Sequence, residues 1–281
     1  ERTFAHVKTC LPNGIWKKES EYGAFLDWPT HHNPEAELAG AQALAVLAMD
    51  DLRFLLSESG RTVAADGVGR LLERMRTAHP DPRGAKSAAA MLALAGLREP
   101  SEMFATTLGR NGHAGVSTFY GYYMIEAMSQ AGQGRHALDT VRDYWGGMLD
   151  MGATSFWEDF NLAWTNNAFR IDEIPVAGKK DVHGDYGEFC YKGLRHSLCH
   201  GWSSGPAAWC ISHVLGICPI DVGCRTVVVK PFLGDLEWAE GAMALPTGES
   251  VRVRADRQAD GEPSVRIDAP AWVRIVRGFE K

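Results

Sequence analysis

Two short stretches of this chain set carboxylates directly against aromatic rings: "SFWEDF" at 155–160 and "FLDWPT" at 25–30. A carboxyl group beside an indole is partly desolvated, which moves its proton affinity towards neutrality and suits it to general acid or base work. The ring offers a flat apolar face on which a sugar or another flat ligand can lie. Glu158 is the strongest candidate for such chemistry, with Trp157 and Phe160 beside it. Asp159 would point elsewhere on any regular backbone, and the two acids read equally well as first-turn residues favoured by a helix dipole. Asp27 and Trp28 would make a ring-binding corner, unless Asp-Trp-Pro-Thr is a turn with its indole packed inward. A third group is His200 with Trp202 in "CHGWSSGP". An imidazole near an indole can orient a hydroxyl, although a histidine at a helix entrance is more often a cap or packing residue. Trp145, in "YWGGML", precedes the first stretch and could floor the same pocket; a core tryptophan is the alternative.

Other chemistries find less support. A metal site would draw on Cys190, His196, Cys199 and His200, but their spacing fits none of the zinc patterns that pair ligands two to four residues apart at both ends. No metal is assigned. His31 and His32 are adjacent and would face different ways. The chain has no G-x-x-x-x-G-K-[ST], no G-x-G-x-x-G after a strand and no G-x-S-x-G elbow, so nucleotide chemistry and serine hydrolysis lose their main support. A formal charge of -6 with acids and bases mixed along the chain leaves no electrostatic footprint for nucleic acid or an anionic membrane. No apolar run approaches the roughly 20 residues that cross a bilayer. Six cysteines, none in a C-x-x-C pair, read as reduced thiols in a core.

The elements that must position these residues are mostly helical. The segment 35–57 places Leu38, Ala41, Leu44, Ala48, Leu52 and Leu55 at three- and four-residue spacing, which predicts a helix burying that face. Asn33 can cap it and Pro34 fits its first position. Further helices are expected at about 62–78, 86–96, 101–109, 117–131, 134–148 and 204–217, joined by Gly-rich turns as stacked helical hairpins. From Cys224 onward "RTVVVKP", "SVRVRAD", "SVRIDAP" and "WVRIVRG" alternate apolar with polar residues between turn signals, which predicts a small antiparallel β module beginning near 218–224. The aperiodic segment 161–197 links the "FWEDF" and "CHGW" groups, and loops of that length inside compact domains are functional or disordered.

Taken in order, these stretches resemble the bacterial α-L-rhamnosidases. "FLDWPT" resembles that family's Gly-Asp-Trp-like turn, with Leu26 in place of the usual glycine, and "KSAAAMLALAGL" is similar to its helix of alanines and leucines. "YWGGMLDMGATSFWEDF" resembles the segment ending Gly-Ala-Thr-Thr-x-Trp-Glu, with Ser155 for the second threonine. "SLCHGWSSGPAAWCISHVLGICP" resembles Ser-x-Asn-His and the helix that follows, with Cys199 where asparagine is common, and "GDLEWAEGAMALPTGESVRV" resembles the opening of the C-terminal sandwich. The five motifs span nearly all of the chain.

The resemblance implies a mainly α fold: part of an (α/α)6 six-hairpin barrel at 1–219, followed by a small antiparallel β-sandwich at 220–281. It implies an inverting glycosidase that releases terminal α-L-rhamnose from a glycoside or oligosaccharide without a cofactor. One carboxylate activates water while a second carboxyl, about 6.5–9.5 Å away, protonates the leaving oxygen. Glu158 matches the family's general base. Asp27, Trp28, Trp145 and His200 match positions that line its rhamnose pocket, and Trp157 and Trp202 adjoin them. The family's general acid lies well upstream of the Asp-Trp turn, whereas only 26 residues precede Asp27 and "NGIWKKESEYG" does not resemble that segment. Glu19 and Glu21 are the substitute acids at hand. About seven helices, or eight with 1–10, stand where a closed ring of six hairpins has twelve. A chain that starts inside the barrel is expected to expose inner helix faces and so to self-associate or need an N-terminal partner. Two other readings stay open. One is a non-catalytic carbohydrate-binding relative that keeps the aromatic pocket. The other is a six-hairpin hydrolase or lyase acting on uronic-acid polysaccharides, which needs cationic groups beyond Arg195.

Overall fold

The computed structural model describes residues 2–17, 24–182, 184–185, 197–259 and 261–278. Glu19, Glu21, Cys190, Arg195 and His196 lie outside the described residues. After α1 (Arg2–Thr9) comes the longest helix, α2 (Pro34–Glu58). Its start is built as its sequence suggests: Pro34 opens the first turn and the Asn33 side chain accepts the Ala36 N–H at 3.2 Å. Then follow α3 (Thr62–Met75), α4 (Lys86–Leu94), α5 (Pro100–Met103) with a π turn to Leu108, and α6 (Tyr120–Gln130). A π turn over Val141–Trp145 joins α7 (Gly134–Thr140) to α8 (Gly146–Asp150), and another over Cys210–Val214 prolongs α9 (Gly205–Trp209). Neighbours in sequence pack on one another: α2 on α3 and α4, α4 on α6, and α6 on α7 and α9. Among the described residues no helix is long and apolar enough to cross a membrane.

The buried face of α2 differs from the one its leucines suggested. Ala36, Ala39, Ala43, Val46 and Met49 are buried, whereas Leu44 is 40% exposed and Leu55 62% exposed. The same core takes in Ala88, Ala89, Ala90 and Ala93 of α4. Short side chains on two packed helices shorten the interaxial distance, and a leucine stripe between them would hold them apart. Gly40 carries this furthest: a Cβ there would meet Leu26 Cδ2 at 2.1 Å, so Leu26 fills the space that the glycine leaves.

The β module holds two three-stranded sheets. In one, β3 (Ile217–Pro219) runs antiparallel to β4 (Thr226–Val229), and β4 pairs in parallel with β8 (Arg274–Arg277). In the other, β5 (Trp238–Ala244), β6 (Ser250–Arg257) and β7 (Pro263–Asp268) are antiparallel throughout. The expectation of a wholly antiparallel module therefore fails at the β4–β8 pair, because apolar alternation reveals which face is buried and not the direction of the neighbour. Leu215, Ile217, Val227, Val229, Val251 and Val253 form its core. In the segment 161–197, β1 (Ala168–Phe169) and β2 (Lys180–Asp181) make a two-residue parallel pair. The five described cysteines are all free thiols, but only Cys10 is buried and Cys199 is exposed, so they do not form the core group their number suggested.

Helices and sheet meet at Gly216, whose φ of 65° lies in the left-handed region. A Cβ there would stand 2.0 Å from the Lys230 carbonyl oxygen, while Lys230 N–H donates to Gly216 O at 3.0 Å. Replacing Gly216 with alanine adds both a strained φ and a backbone collision, and should cost about 2–4 kcal/mol. Denaturant unfolding of Gly216→Ala beside the parent checks this; an unchanged midpoint would show that the junction relaxes freely.

Candidate active site

The site is built from three segments that precede or follow helices. The turn 27–30 is held to α2 by Leu26 and to α4 by a 2.5 Å hydrogen bond between the Thr30 and Ser87 hydroxyls. Asp27 projects from it, 5% exposed. The second segment is "STFY" at 117–120, ahead of α6. Ser117 Oγ accepts the Tyr120 N–H at 3.1 Å and donates to Asp27 Oδ2 at 2.8 Å, so one hydroxyl both starts the helix and holds the acid. The third is 152–160. Gly152, at φ 90°, turns the chain out of α8. The strip that follows is irregular and runs beside 197–200: His200 N–H donates to Phe156 O at 2.7 Å and Glu158 N–H to Ser197 O at 2.8 Å.

This backbone separates the aromatics from the acids of "FWEDF". Trp157 and Phe160 turn inward, both buried, and their rings meet edge to face at 5.8 Å. Phe160 continues into Tyr144, whose hydroxyl donates to the Phe160 carbonyl. Glu158 and Asp159 face a cavity of about 190 Å³ lined also by Phe25, Asp27, Trp28, Thr118, Phe119 and Trp202. The helix-start reading of the two acids is thereby overturned, since neither lies in a helix. Asp159 does not point elsewhere either: without a regular backbone, two consecutive side chains reach the same cavity.

Of the residues picked out from sequence, Asp27, Trp28, Glu158 and Trp202 line the cavity. His200 stands beside it, with Nδ1 3.9 Å from Glu158 Oε2 and its ring 4.5 Å from that of Trp202. Trp145 and Trp157 are not among the lining residues. Both are buried, and Trp145 fills the space beside Gly121, where a Cβ would come within 2.7 Å of its ring. The two indoles lie in the buried helical core. Ser117, Thr118, Phe119 and Tyr120 were missed from sequence, because "STFY" before an apolar helix reads as a helix start, which it also is. Among the described residues no group of three His, Cys, Asp or Glu side chains could hold a metal.

Three carboxyls and no lysine or arginine line the cavity among the described residues. Burial pushes the Asp27 carboxyl up to about 6, against the pull of the Ser117 hydroxyl and the Trp28 N–H and with reinforcement from the negative charge of Asp159. Burial and then Asp27 likewise raise the Tyr120 hydroxyl. Asp27 is the most deeply buried of the three carboxyls, and the Glu158 side chain, 26% exposed, is partly desolvated as its aromatic neighbours suggest.

A carboxyl whose pKa is higher folded than unfolded makes the folded state bind the extra proton. Its ionisation therefore lowers stability as pH rises from about 4 to about 6, with no further change above. Asp27→Asn removes that dependence. Its stability relative to the parent should improve between pH 4 and pH 6 by up to about 3 kcal/mol. Urea unfolding of both proteins across that range reads it; parallel curves would mean that Asp27 titrates as an ordinary carboxyl.

No protein-family profile and no curated protein matches the sequence. Solved structures do match. The GH78 family rhamnosidase of Bacillus sp. GL1 superposes with a TM-score of 0.68 at 23% identity, over 99% of this chain and 30% of that one. The α-L-rhamnosidase of Streptomyces avermitilis, solved in complex with L-rhamnose, gives 0.66 at 18% identity over 96% of this chain and 26% of its own. The α-L-rhamnosidase of Aspergillus terreus gives 0.66 at 14% identity over 98% and 34%. At these identities it is the fold that is shared: along almost its whole length the chain has the fold of α-L-rhamnosidases, and it spans 26% to 34% of theirs.

Proposed function

We propose that this chain is the C-terminal part of an α-L-rhamnosidase-like glycoside hydrolase, which removes terminal α-L-rhamnose with inversion. In this reading the helical hairpins through residue 219 belong to an (α/α)6 barrel and residues 220–281 form its C-terminal sandwich. The observation that carries it is the cavity itself, where Glu158, Asp27 and Asp159 share the lining with Phe25 and Trp28. Carboxylates accept the hydroxyls of a sugar and aromatic faces cover its apolar side. At about 190 Å³ the cavity suits a single ring, being below the roughly 300 Å³ at which drug-sized pockets begin. Three carboxyls with no lysine or arginine among the described lining residues disfavour a uronic acid and favour a neutral deoxy sugar. The Streptomyces relative was solved with L-rhamnose bound, which fits that choice.

Glu158 is the proposed general base, since its carboxylate lies open to the cavity and accepts one N–H that leaves it free to take a proton from water. The proton donor is assigned to a segment not contained in these 281 residues, with Asp27 and Asp159 binding hydroxyls.

Release of nitrophenol from p-nitrophenyl α-L-rhamnoside tests the reading. In a context that carries the donor, Glu158→Gln should lower turnover by roughly 10²–10⁴-fold and leave rhamnose binding largely intact. Retention of the rate would sink the assignment. Turnover by this chain alone would instead make Asp27, which carries its proton up to about pH 6, the first candidate for the acid. Sedimentation of the isolated chain should reveal association, and a clean monomer at micromolar concentration would count against the missing partner.

A further inference from the structure

The Glu158 main chain is held more tightly than its carboxylate. Its N–H donates to Ser197 O at 2.8 Å, and its carboxylate Oε2 accepts the Ser197 N–H at 2.7 Å. Its carbonyl oxygen accepts twice, from Thr118 Oγ1 at 2.5 Å and from Trp202 Nε1 at 3.1 Å. A carbonyl has two lone pairs, and both are used here. Thr118 stands ahead of α6 and Trp202 ahead of α9, so the peptide plane after Glu158 is fastened to the entrances of two helices. That plane is rigid, so fixing the carbonyl also fixes the N–H side and the direction in which Asp159 leaves it. One clamp thereby orients two carboxylates that line the same cavity.

The Trp202 ring is itself held. It lies flat on Phe119, with centroids 5.5 Å apart and planes 9° from parallel, and His200 lies against it at 4.5 Å. Phe119 in turn meets Tyr120 and Tyr123 edge to face. The indole N–H is aimed at protein and one ring face is covered by protein. This arrangement describes a brace better than a wall for a sugar.

We propose that Trp202 and Thr118 are positioning residues, which fix the Glu158 peptide so that its carboxylate stays on the Ser197 N–H and points at the reacting water. The proposal rests on Glu158 as the base. A displacement of about 1 Å at a catalytic group can lower a rate by as much as ~10²-fold, so a clamp of this kind acts on turnover more than on substrate affinity.

The test compares Trp202→Phe, which keeps the stack and loses the N–H, with Thr118→Val and its conservative partner Thr118→Ser. Each is read by kcat and KM on p-nitrophenyl α-L-rhamnoside in a context that carries the proton donor, and by thermal melting and amide hydrogen exchange at Ser197 and Asp159 in this chain. Trp202→Phe and Thr118→Val should each lower kcat roughly tenfold with KM nearly constant and quicken exchange at Ser197, and Thr118→Ser should restore both. A rise in KM at constant kcat would return Trp202 to the role of a substrate-contacting ring and overturn the proposal. Unchanged exchange at Ser197 in both variants would do the same. If the parent shows no turnover even in a context that carries the proton donor, the assigned activity has failed, while the exchange at Ser197 still decides whether the clamp exists. Should Trp202→Phe fail to fold, the Thr118 pair decides between the same two outcomes.

Discussion

The close approach of α2 and α4 is the constraint from which the site follows. Alanines of both helices share one core, and Gly40 opens a notch that Leu26 enters. Leu26 is followed at once by Asp27, so the depth of that notch sets how far the carboxyl is carried into the protein. Thr30, joined to Ser87 at the start of α4, fixes the other end of the same turn. A bulkier seam would move the turn outward and return Asp27 to solvent. The acid is desolvated because two helices are thin.

Around that turn neutral donors hold the carboxyls, and no lysine or arginine lines the cavity among the described residues. Ser117 and the Trp28 N–H serve Asp27, and the Ser197 N–H serves Glu158. Neutral donors offset part of the desolvation and leave the carboxyls available to a ligand. A lysine or arginine would neutralise them outright and occupy the space. Lys86 illustrates the restraint. It is 5% exposed and burial lowers its pKa, yet its ammonium is committed to the Gly112 carbonyl in the loop that leads to Ser117. Lys86, a buried cation, therefore supports the loop behind the cavity and does not line it.

Much of this was legible in the chain, and the parts that were not share a cause. Helix starts and the position of α2 could be read because caps and prolines act locally, as Asn33 and Pro34 do. The face of α2 was misread because a leucine stripe and an alanine stripe are both periodic, and the choice between them depends on the thickness of the neighbour. Glu158 and Asp27 were found through their aromatic company. Trp145 and Trp157 were carried along by the same argument, although their rings went to the core while the adjoining acids went to the cavity. Ser117 to Tyr120 escaped because their work depends on a turn some 90 residues away, a separation that no local pattern reports. The parallel pairing of β8 escaped for the same reason.

The junction at Gly216 leaves no tether between the two cores. The π turn that extends α9 ends at Val214, Leu215 already belongs to the core of the β module, and β3 begins at Ile217. Domains joined by a flexible tether can be exchanged between genes as cassettes, because a cut in the tether leaves both hydrophobic cores whole. Here the two cores interlock across that point, because Ile211 packs on the β core while Leu236 and Ala239 pack on the helical one, and the helix that ends there starts just after Trp202. A replacement of the β module would therefore disturb the helical core, and through the helix after Trp202 the cavity as well.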